Sequence, residues 1–128
     1  MKKILIIDDE KNILLTLDMF LKKEKFKVLK ATNGIDGIKI AQEEVPDLIL
    51  LDIILPGMNG YLVCEALKET AKTKNIPVIF ISAKSQDKDI KKAFGVGGSD
   101  YIVKPFTYKQ ISKIINKNIG GKTWKKGF

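Results

Sequence analysis

The sequence predicts an α/β domain in which five parallel strands alternate with five helices. Five apolar runs of strand length are separated by stretches in which apolar residues recur at helical spacing. The runs are almost continuously apolar, which is typical of strands covered on both faces, as in a parallel sheet. A βα alternation of this kind favours a doubly wound sheet with helices on both faces.

The five predicted strands are short and rich in β-branched residues. In chain order they are KILII at 3–7, FKVLKA at 26–31, DLILLD at 47–52, IPVIFIS at 76–82 and YIV at 101–103. Residues typical of turns, such as Asn33-Gly34, Pro46 and Pro77, separate the strands from the helices.

The first helix is predicted between the first two strands, because apolar residues there follow a helical period and lysines follow near its C-terminal end. These apolar residues are Ile13, Leu14, Leu17, Phe20 and Leu21. The same reasoning places four further helices at about 34–44, 60–71, 87–95 and 107–118.

Composition limits the functions that the chain can have. At 128 residues it is the size of one domain, and its single cysteine, Cys64, cannot form an internal disulfide. No stretch resembles a signal peptide or approaches the roughly 18 apolar residues that span a bilayer, so we expect a cytoplasmic protein with no membrane partner. All 23 basic residues are lysine and there is no histidine, which excludes a histidine nucleophile, base or metal ligand.

The formal net charge of +8 is interpreted first as a lysine-rich surface that is exposed to solvent. Binding of a partner with an acidic surface is the alternative. Residues 120–128, GGKTWKKGF, are predicted to be a short basic tail after a domain at 1–119. Trp124 and Phe128 are expected to pack locally or remain unfolded. The alternative is contact with a partner or an anionic surface.

Polar residues stand at the ends of four predicted strands: Asp8 and Asp9, Asp52, Ser82, and Lys104. Each alone could cap a helix or lie in a turn. Because ligands of doubly wound sheets bind beyond the carboxyl ends of the strands, the five residues are expected to meet. Clustered carboxylates favour Mg²⁺, which commonly bridges a carboxylate and a phosphate, and a lysine and a hydroxyl suit phosphoryl oxygens.

Four motifs in this order resemble the receiver domains of two-component response regulators. They are the acidic pair Asp8-Asp9, LLDIILPGMNG around Asp52, Ser82-Ala83, and Tyr101 with Lys104-Pro105-Phe106. The resemblance covers roughly residues 3–119. It implies a flavodoxin-like five-stranded sheet of order 2-1-3-4-5.

The resemblance also implies roles for the residues at the strand ends. Asp52 would accept a phosphoryl group from a phosphohistidine on a sensor histidine kinase or a histidine phosphotransfer protein. Asp9, Asp52 and the backbone carbonyl of Ile54 would hold Mg²⁺ or Mn²⁺, with Asp8 acting mostly through water. Ser82 and Lys104 would bind phosphoryl oxygens, and the Lys104-Pro105 peptide would be cis. Such a protein catalyses only its own phosphorylation and slow dephosphorylation.

In this family the hydroxyl at the Ser82 position and an aromatic residue, here Tyr101, form a switch that reshapes the face made by the fourth helix, fifth strand and fifth helix. A fixed Tyr101 at an edge strand is the alternative. Ile54 and Lys84 depart from the family pattern beside the phosphoryl group. We expect the apolar Ile54 to slow hydrolysis of the phosphoaspartate. Leu55, where methionine is commoner, is a volume-conserving change with little expected effect.

Two other functional classes share some of these features. Hydrolases of the haloacid-dehalogenase type also use an aspartate nucleophile and Mg²⁺, but their nucleophile follows the first strand and not the third. A nucleic-acid-binding domain would use the lysines, yet the chain lacks arginine and a recognisable recognition helix. We expect no DNA-binding domain, an unidentified output protein, and a monomer or a dimer that depends on phosphorylation.

Overall fold

The computed structural model describes residues 1–119 and confirms the predicted fold. Five parallel strands form one sheet in the order β2-β1-β3-β4-β5, and a helix follows each strand. The strands are β1 (Lys3–Ile7), β2 (Lys27–Ala31), β3 (Leu48–Leu51), β4 (Val78–Ser82) and β5 (Asp100–Val103). The helices are α1 (Lys11–Lys23), α2 (Gly34–Glu44), α3 (Gly60–Lys68), α4 (Asp87–Gly95) and α5 (Tyr108–Asn118). The tail, with Trp124 and Phe128, follows the part of the chain that the structure describes.

Two hydrophobic clusters cover the two faces of the sheet because alternate strand residues point to opposite sides. On one face, Leu5, Ile7 and Phe80 of the strands pack against α2, α3 and α4. On the other face, Ile4 and Ile6 lie beneath α1 and α5. No helix within residues 1–119 is long and apolar enough to cross a membrane.

The predicted elements differ from the observed ones mainly at their ends. Helix α3 stops at Lys68 and does not reach residue 71. Beyond Lys68, the Thr70 hydroxyl donates to the Ala66 carbonyl over 3.2 Å, and the Thr73 hydroxyl donates to the Leu67 carbonyl over 2.6 Å. These side-chain donors take the place of the backbone N–H groups that would continue the helix. Strand β4 begins at Val78 and not at residue 76, where Pro77 has no N–H to donate to a ladder.

Asparagine and threonine side chains set where three helices begin. Asn33 accepts from the backbone N–H of Asp36, Asn59 from that of Leu62, and Thr107 from that of Gln110. These caps start α2, α3 and α5 directly after loops at the carboxyl edge of the sheet. The caps therefore fix the lengths of the loops that surround the strand ends.

Candidate functional site

The polar residues that follow the strands are held at one edge of the sheet by backbone hydrogen bonds that continue the strand ladders. The N–H of Asp8 donates to Ala31 over 3.1 Å, and that of Asp52 donates to Ile7 over 3.0 Å. The N–H of Lys104 donates to the carbonyl of Ser82 over 2.9 Å. Since neighbouring strands fix these three backbones, their side chains project into one pocket.

The Lys104 ammonium lies at the centre of this pocket. Its Nζ is 3.0 Å from Asp8 Oδ2, 3.1 Å from Asp52 Oδ2 and 2.7 Å from Glu10 Oε1. The side chains of Asp8 and Asp52 are only 3% and 4% exposed, and that of Lys104 is 10% exposed. Buried charges are tolerated only when they are paired and hydrogen-bonded, so this lysine offsets the two buried carboxylates.

Protonation in the pocket reflects burial and pairing. Burial raises the pKa of Asp8, and the hydrogen bonds from the Glu10 N–H and from Lys104 only partly offset this. Burial lowers the pKa of Lys104, but hydrogen bonds to Glu10, Asp8 and Asp52 outweigh it, and the pKa is raised overall. Lys104 therefore stays charged at every physiological pH.

Glu10 is the member of the acidic cluster that sequence reasoning missed. Carboxylate oxygens of Asp8, Glu10 and Asp52 lie within 4.8 Å of one another. Asp9, the predicted ligand, is exposed and its carboxylate is not part of that group. The Asp8 Oδ1 accepts from the N–H of Glu10 over 2.9 Å, which turns the chain so that Glu10 reaches Lys104. The DDE run was visible in the sequence, but only this turn shows which acid points inward.

Ser82 and Tyr101 meet at the backbone of Lys84. Ser82 is fully buried, and its Oγ accepts from the N–H of Lys84 over 3.3 Å. The hydroxyl of Tyr101 donates to the carbonyl of Lys84 over 2.6 Å, and its ring stacks on Phe80 at 6.3 Å between centroids. Burial raises the pKa of Tyr101 to about 12. The loop between β4 and α4 is thus held from both sides.

The loop after β3 closes the pocket. The N–H of Ile54 donates to Asp52 Oδ1 over 3.3 Å, while Ile54 as a whole is 55% exposed. The Lys104-Pro105 peptide is cis. Gly60, the first residue of α3, packs so closely on this loop that an added Cβ would overlap the Asp52 carbonyl. Asp52 and the start of α3 are therefore positioned together.

Comparisons with known proteins agree with this geometry. A family model, the response regulator receiver domain, matches residues 4–116. The protein PilH of Pseudomonas aeruginosa is 39% identical over 121 residues, which cover 94% of this chain and 100% of PilH.

Many solved structures share the fold. The chemotaxis protein CheY4 of Vibrio cholerae has a TM-score of 0.89 at 24% identity, over 93% of this chain and 99% of that chain. The receiver domain of the sensor histidine kinase PA1611 of Pseudomonas aeruginosa, solved with a magnesium ion coordinated in its active site cleft, has a TM-score of 0.87 at 24% identity, over 94% of this chain and 98% of that chain. The strand order, the family match and the likeness to PilH lead to one conclusion: this chain belongs to the response regulator receiver domains of two-component signalling.

Proposed function

We propose that Asp52 accepts a phosphoryl group from a phosphohistidine on a sensor histidine kinase or a histidine phosphotransfer protein. The observation that carries this proposal is the Lys104 ammonium, 3.1 Å from Asp52 Oδ2, with the two side chains only 10% and 4% exposed. An Asp52 oxygen attacks phosphorus, the phosphorus–nitrogen bond of the donor breaks, and the departing imidazole keeps the bonding electron pair and takes up a proton. The chain needs no histidine of its own for this step.

The pocket supplies what a loose phosphoryl-transfer transition state needs, which is positioning and neutralisation of charge. Lys104 can exchange one of its carboxylate contacts for a phosphoryl oxygen without leaving the pocket. The Ser82 hydroxyl, which accepts from the Lys84 N–H and faces the hydroxyl of Tyr101, can turn to donate to a second phosphoryl oxygen. The protein acts as a signalling module that turns over only its own phosphoryl group.

The oxygen donors of the pocket fit Mg²⁺ or Mn²⁺, because three carboxylates lie within 4.8 Å of one another and only one lysine offsets them. The family resemblance assigns Asp9, Asp52 and the Ile54 carbonyl as the ligands, with Asp8 acting mostly through water, and Asp9 would have to turn toward the cluster to take that place. When bound, the ion neutralises the charge that develops on the phosphoryl oxygens. The receiver domain of PA1611 has a magnesium ion coordinated in its active site cleft, which supports a metal ion at this edge of the sheet. If this assignment is right, Asp9→Asn weakens magnesium binding measured by calorimetry more than Glu10→Gln does, and the opposite order would favour the cluster of Asp8, Glu10 and Asp52.

Phosphorylation would be transmitted through Lys84. A phosphoryl group that binds the Ser82 hydroxyl would change the contact of Ser82 with the Lys84 N–H, and Tyr101 holds the carbonyl of the same residue. A shift of this loop would move the first turn of α4 and reshape the face made by α4, β5 and α5. That face would bind the output partner, as a monomer or as a dimer that depends on phosphorylation.

The test is to incubate the protein with Mg²⁺ and acetyl phosphate or phosphoramidate and to measure the intact mass. We expect a base-labile adduct of one phosphoryl group that is lost in Asp52→Asn and on removal of Mg²⁺ by a chelator. Asp87→Asn, at an exposed aspartate in the first turn of α4, is the matched control and should keep the adduct. An adduct that survives in Asp52→Asn would refute the assignment, and turnover of many equivalents of a phosphate ester would favour a hydrolase.

A further inference from the structure

Helix α4 is held in the domain by fewer buried residues than its two neighbours on the same face of the sheet. Ala93 is its one buried residue, whereas α2 has three and α3 has five. Phe94, its largest apolar residue, is 47% exposed. An element that buries so little apolar surface shifts at a low cost in free energy. Each remaining contact of α4 therefore matters for its position.

A buried tyrosine of α3 makes one of these contacts. Tyr61 is 7% exposed, and its hydroxyl donates to the carbonyl of Asp89 over 3.1 Å. Asp89 lies in the first turn of α4, and its Oδ2 accepts from the N–H of Gln86 over 3.2 Å. Burial raises the pKa of Tyr61, so the hydroxyl keeps its proton and remains a donor at physiological pH. The hydrogen bond thus joins the first turn of α3 to the first turn of α4.

The ring of Tyr61 makes a second contact with α4. The Lys92 Nζ lies over this ring, 4.7 Å from its centroid. Lys92 follows Asp89 by three residues, so both contacts come from one side of the helix. Attraction between the ammonium and the aromatic face adds to the hydrogen bond. The ring is also 5.9 Å from that of the fully buried Phe80 in β4, so Tyr61 contacts the sheet and α4 at once.

Tyr61 and Tyr101 hold the two ends of one segment. Tyr101 donates to the carbonyl of Lys84 over 2.6 Å, and Tyr61 donates to that of Asp89, five residues later. The Phe80 ring contacts both tyrosine rings, which keeps them in place against the sheet. The loop shift proposed for phosphorylation moves the first turn of α4. Such a movement has to lengthen the Asp89 contact, because Tyr61 belongs to α3 and cannot follow α4.

We propose that Tyr61 is a positioning residue that holds α4 in the arrangement of the unphosphorylated protein. The inference rests on the proposed phosphorylation of Asp52. A contact that exists in only one of two arrangements stabilises that arrangement and reduces the population of the other. Coupling between two sites is reciprocal, so a phosphoryl group that releases α4 also binds more tightly once α4 is released. Tyr61 therefore limits the affinity of the pocket for a phosphoryl group, and it acts through α4 and the Lys84 loop.

A structural role alone is the alternative for this hydroxyl. Buried tyrosines usually need a partner for the O–H group, whatever the function of the protein. In that case the loss of the hydroxyl would lower the stability of the whole domain and would leave the position of α4 unchanged. Measurements on α4 and on the affinity of the pocket separate the two roles.

The test uses Tyr61→Phe, which keeps the ring and removes only the hydroxyl. The probe is beryllium trifluoride with Mg²⁺, because it has the charge and shape of a phosphoryl group, and its binding to Asp52 is measured by calorimetry. We expect it to bind Tyr61→Phe about fivefold more tightly than wild type, which is the effect of a typical hydrogen bond. Amide hydrogen exchange without the probe should be several-fold faster in α4 and unchanged in α2.

Three further variants test the assignment to Tyr61. Tyr108→Phe removes the hydroxyl of an exposed tyrosine and should leave both measurements unchanged. Lys92→Gln removes the ammonium above the ring and should tighten probe binding about twofold. Lys91→Gln removes the same charge from an exposed position of the same helix and should not tighten it.

Probe binding to Tyr61→Phe that is no tighter than to wild type, or hydrogen exchange that accelerates equally in α2 and α4, would overturn the proposal. A wild-type protein that binds the probe no better than Asp52→Asn would instead refute the proposed phosphoacceptor. Hydrogen exchange in Tyr61→Phe would then still decide whether this residue holds α4.

Discussion

The two edges of the sheet carry charge in opposite ways. At the carboxyl edge, the side chains of Asp8, Asp52 and Lys104 are almost entirely buried, and the ammonium contacts both carboxylates over about 3 Å. At the opposite edge, Lys117 is 74% exposed and lies 3.8 Å from Asp100. Charge at the carboxyl edge is costly to desolvate and the three groups are coupled, whereas the Lys117 ammonium stays solvated. A group of compensating buried charges is the feature that distinguishes a reactive pocket from a charged surface.

The largest expected effect comes from removing the central cation. Lys104→Gln leaves Asp8 and Asp52 without their buried partner and should lower the free energy of unfolding by about 3 kcal/mol at pH 7. Because the pKa of Lys104 is raised above its ordinary value of 10.5, its stabilisation is complete below pH 10.5 and is lost only as pH rises further.

Lys117→Gln is the control at the opposite edge and should change the free energy of unfolding by less than about 0.5 kcal/mol. Urea denaturation of both variants measures the difference. If both variants lost the same free energy of unfolding, the buried Lys104 would contribute no more to stability than the exposed Lys117.

The second prediction concerns the backbone that supports the pocket. In Gly60→Ala the new Cβ would overlap the Asp52 carbonyl and lie 2.7 Å from Ile53 Cα. We expect a loss of about 2 kcal/mol in urea denaturation and slower phosphorylation of Asp52, because α3 and the loop must move apart. Gly95→Ala, where nothing lies within 4 Å of the new Cβ, should be neutral. A neutral Gly60→Ala would mean that the loop after β3 adapts freely.

The difference between the edges also explains what the sequence could predict. Nearly continuous apolar runs such as Leu48 to Leu51 identify strands, and parallel strands bring their ends together, so the sequence alone could group Asp8, Asp52, Ser82 and Lys104. That grouping requires only the strand order and the end of each strand.

Glu10 could not be predicted in the same way. It is 57% exposed at the side chain, so no apolar pattern constrains its direction, and it reaches Lys104 only because Asp8 accepts from its N–H. The shared contact of Ser82 and Tyr101 with the Lys84 backbone depends on the path of a loop. Hydrophobic periodicity describes neither the path of a loop nor the rotamer of an exposed side chain.

The third prediction tests how well the pocket excludes water. Ile54 lies at the mouth, 55% exposed, with its N–H 3.3 Å from Asp52 Oδ1. A polar side chain there could orient a water molecule toward the phosphoryl group, so Ile54→Asn should accelerate dephosphorylation several-fold, and up to about tenfold. The rate is measured from the decay of the phosphorylated mass after the donor is removed. Leu62→Asn, at another exposed apolar residue in α3, is the control, and equal rates in wild type and Ile54→Asn would contradict the prediction.

Asp8→Asn is expected to have the smallest effect on stability. It is also the variant that measures most directly the cost of burying a charge. Burial raises the folded-state pKa of Asp8 above 3.8, so the folded protein binds this proton more tightly than the unfolded chain. Stability must then fall as pH rises from 3.8 through the folded pKa, because the ionised carboxylate is the form that burial disfavours. The asparagine cannot ionise and retains an oxygen for the N–H of Glu10.

Asp8→Asn should therefore raise the melting temperature by a few degrees at pH 7, with the gain shrinking toward pH 4. Thermal unfolding without divalent cations, across pH 4 to 8, measures this dependence. Asp87→Asn, which changes an exposed charge, should show no comparable gain at any pH. A lower melting temperature for Asp8→Asn at pH 7 would mean that the ion pair with Lys104 outweighs the burial of the Asp8 carboxylate.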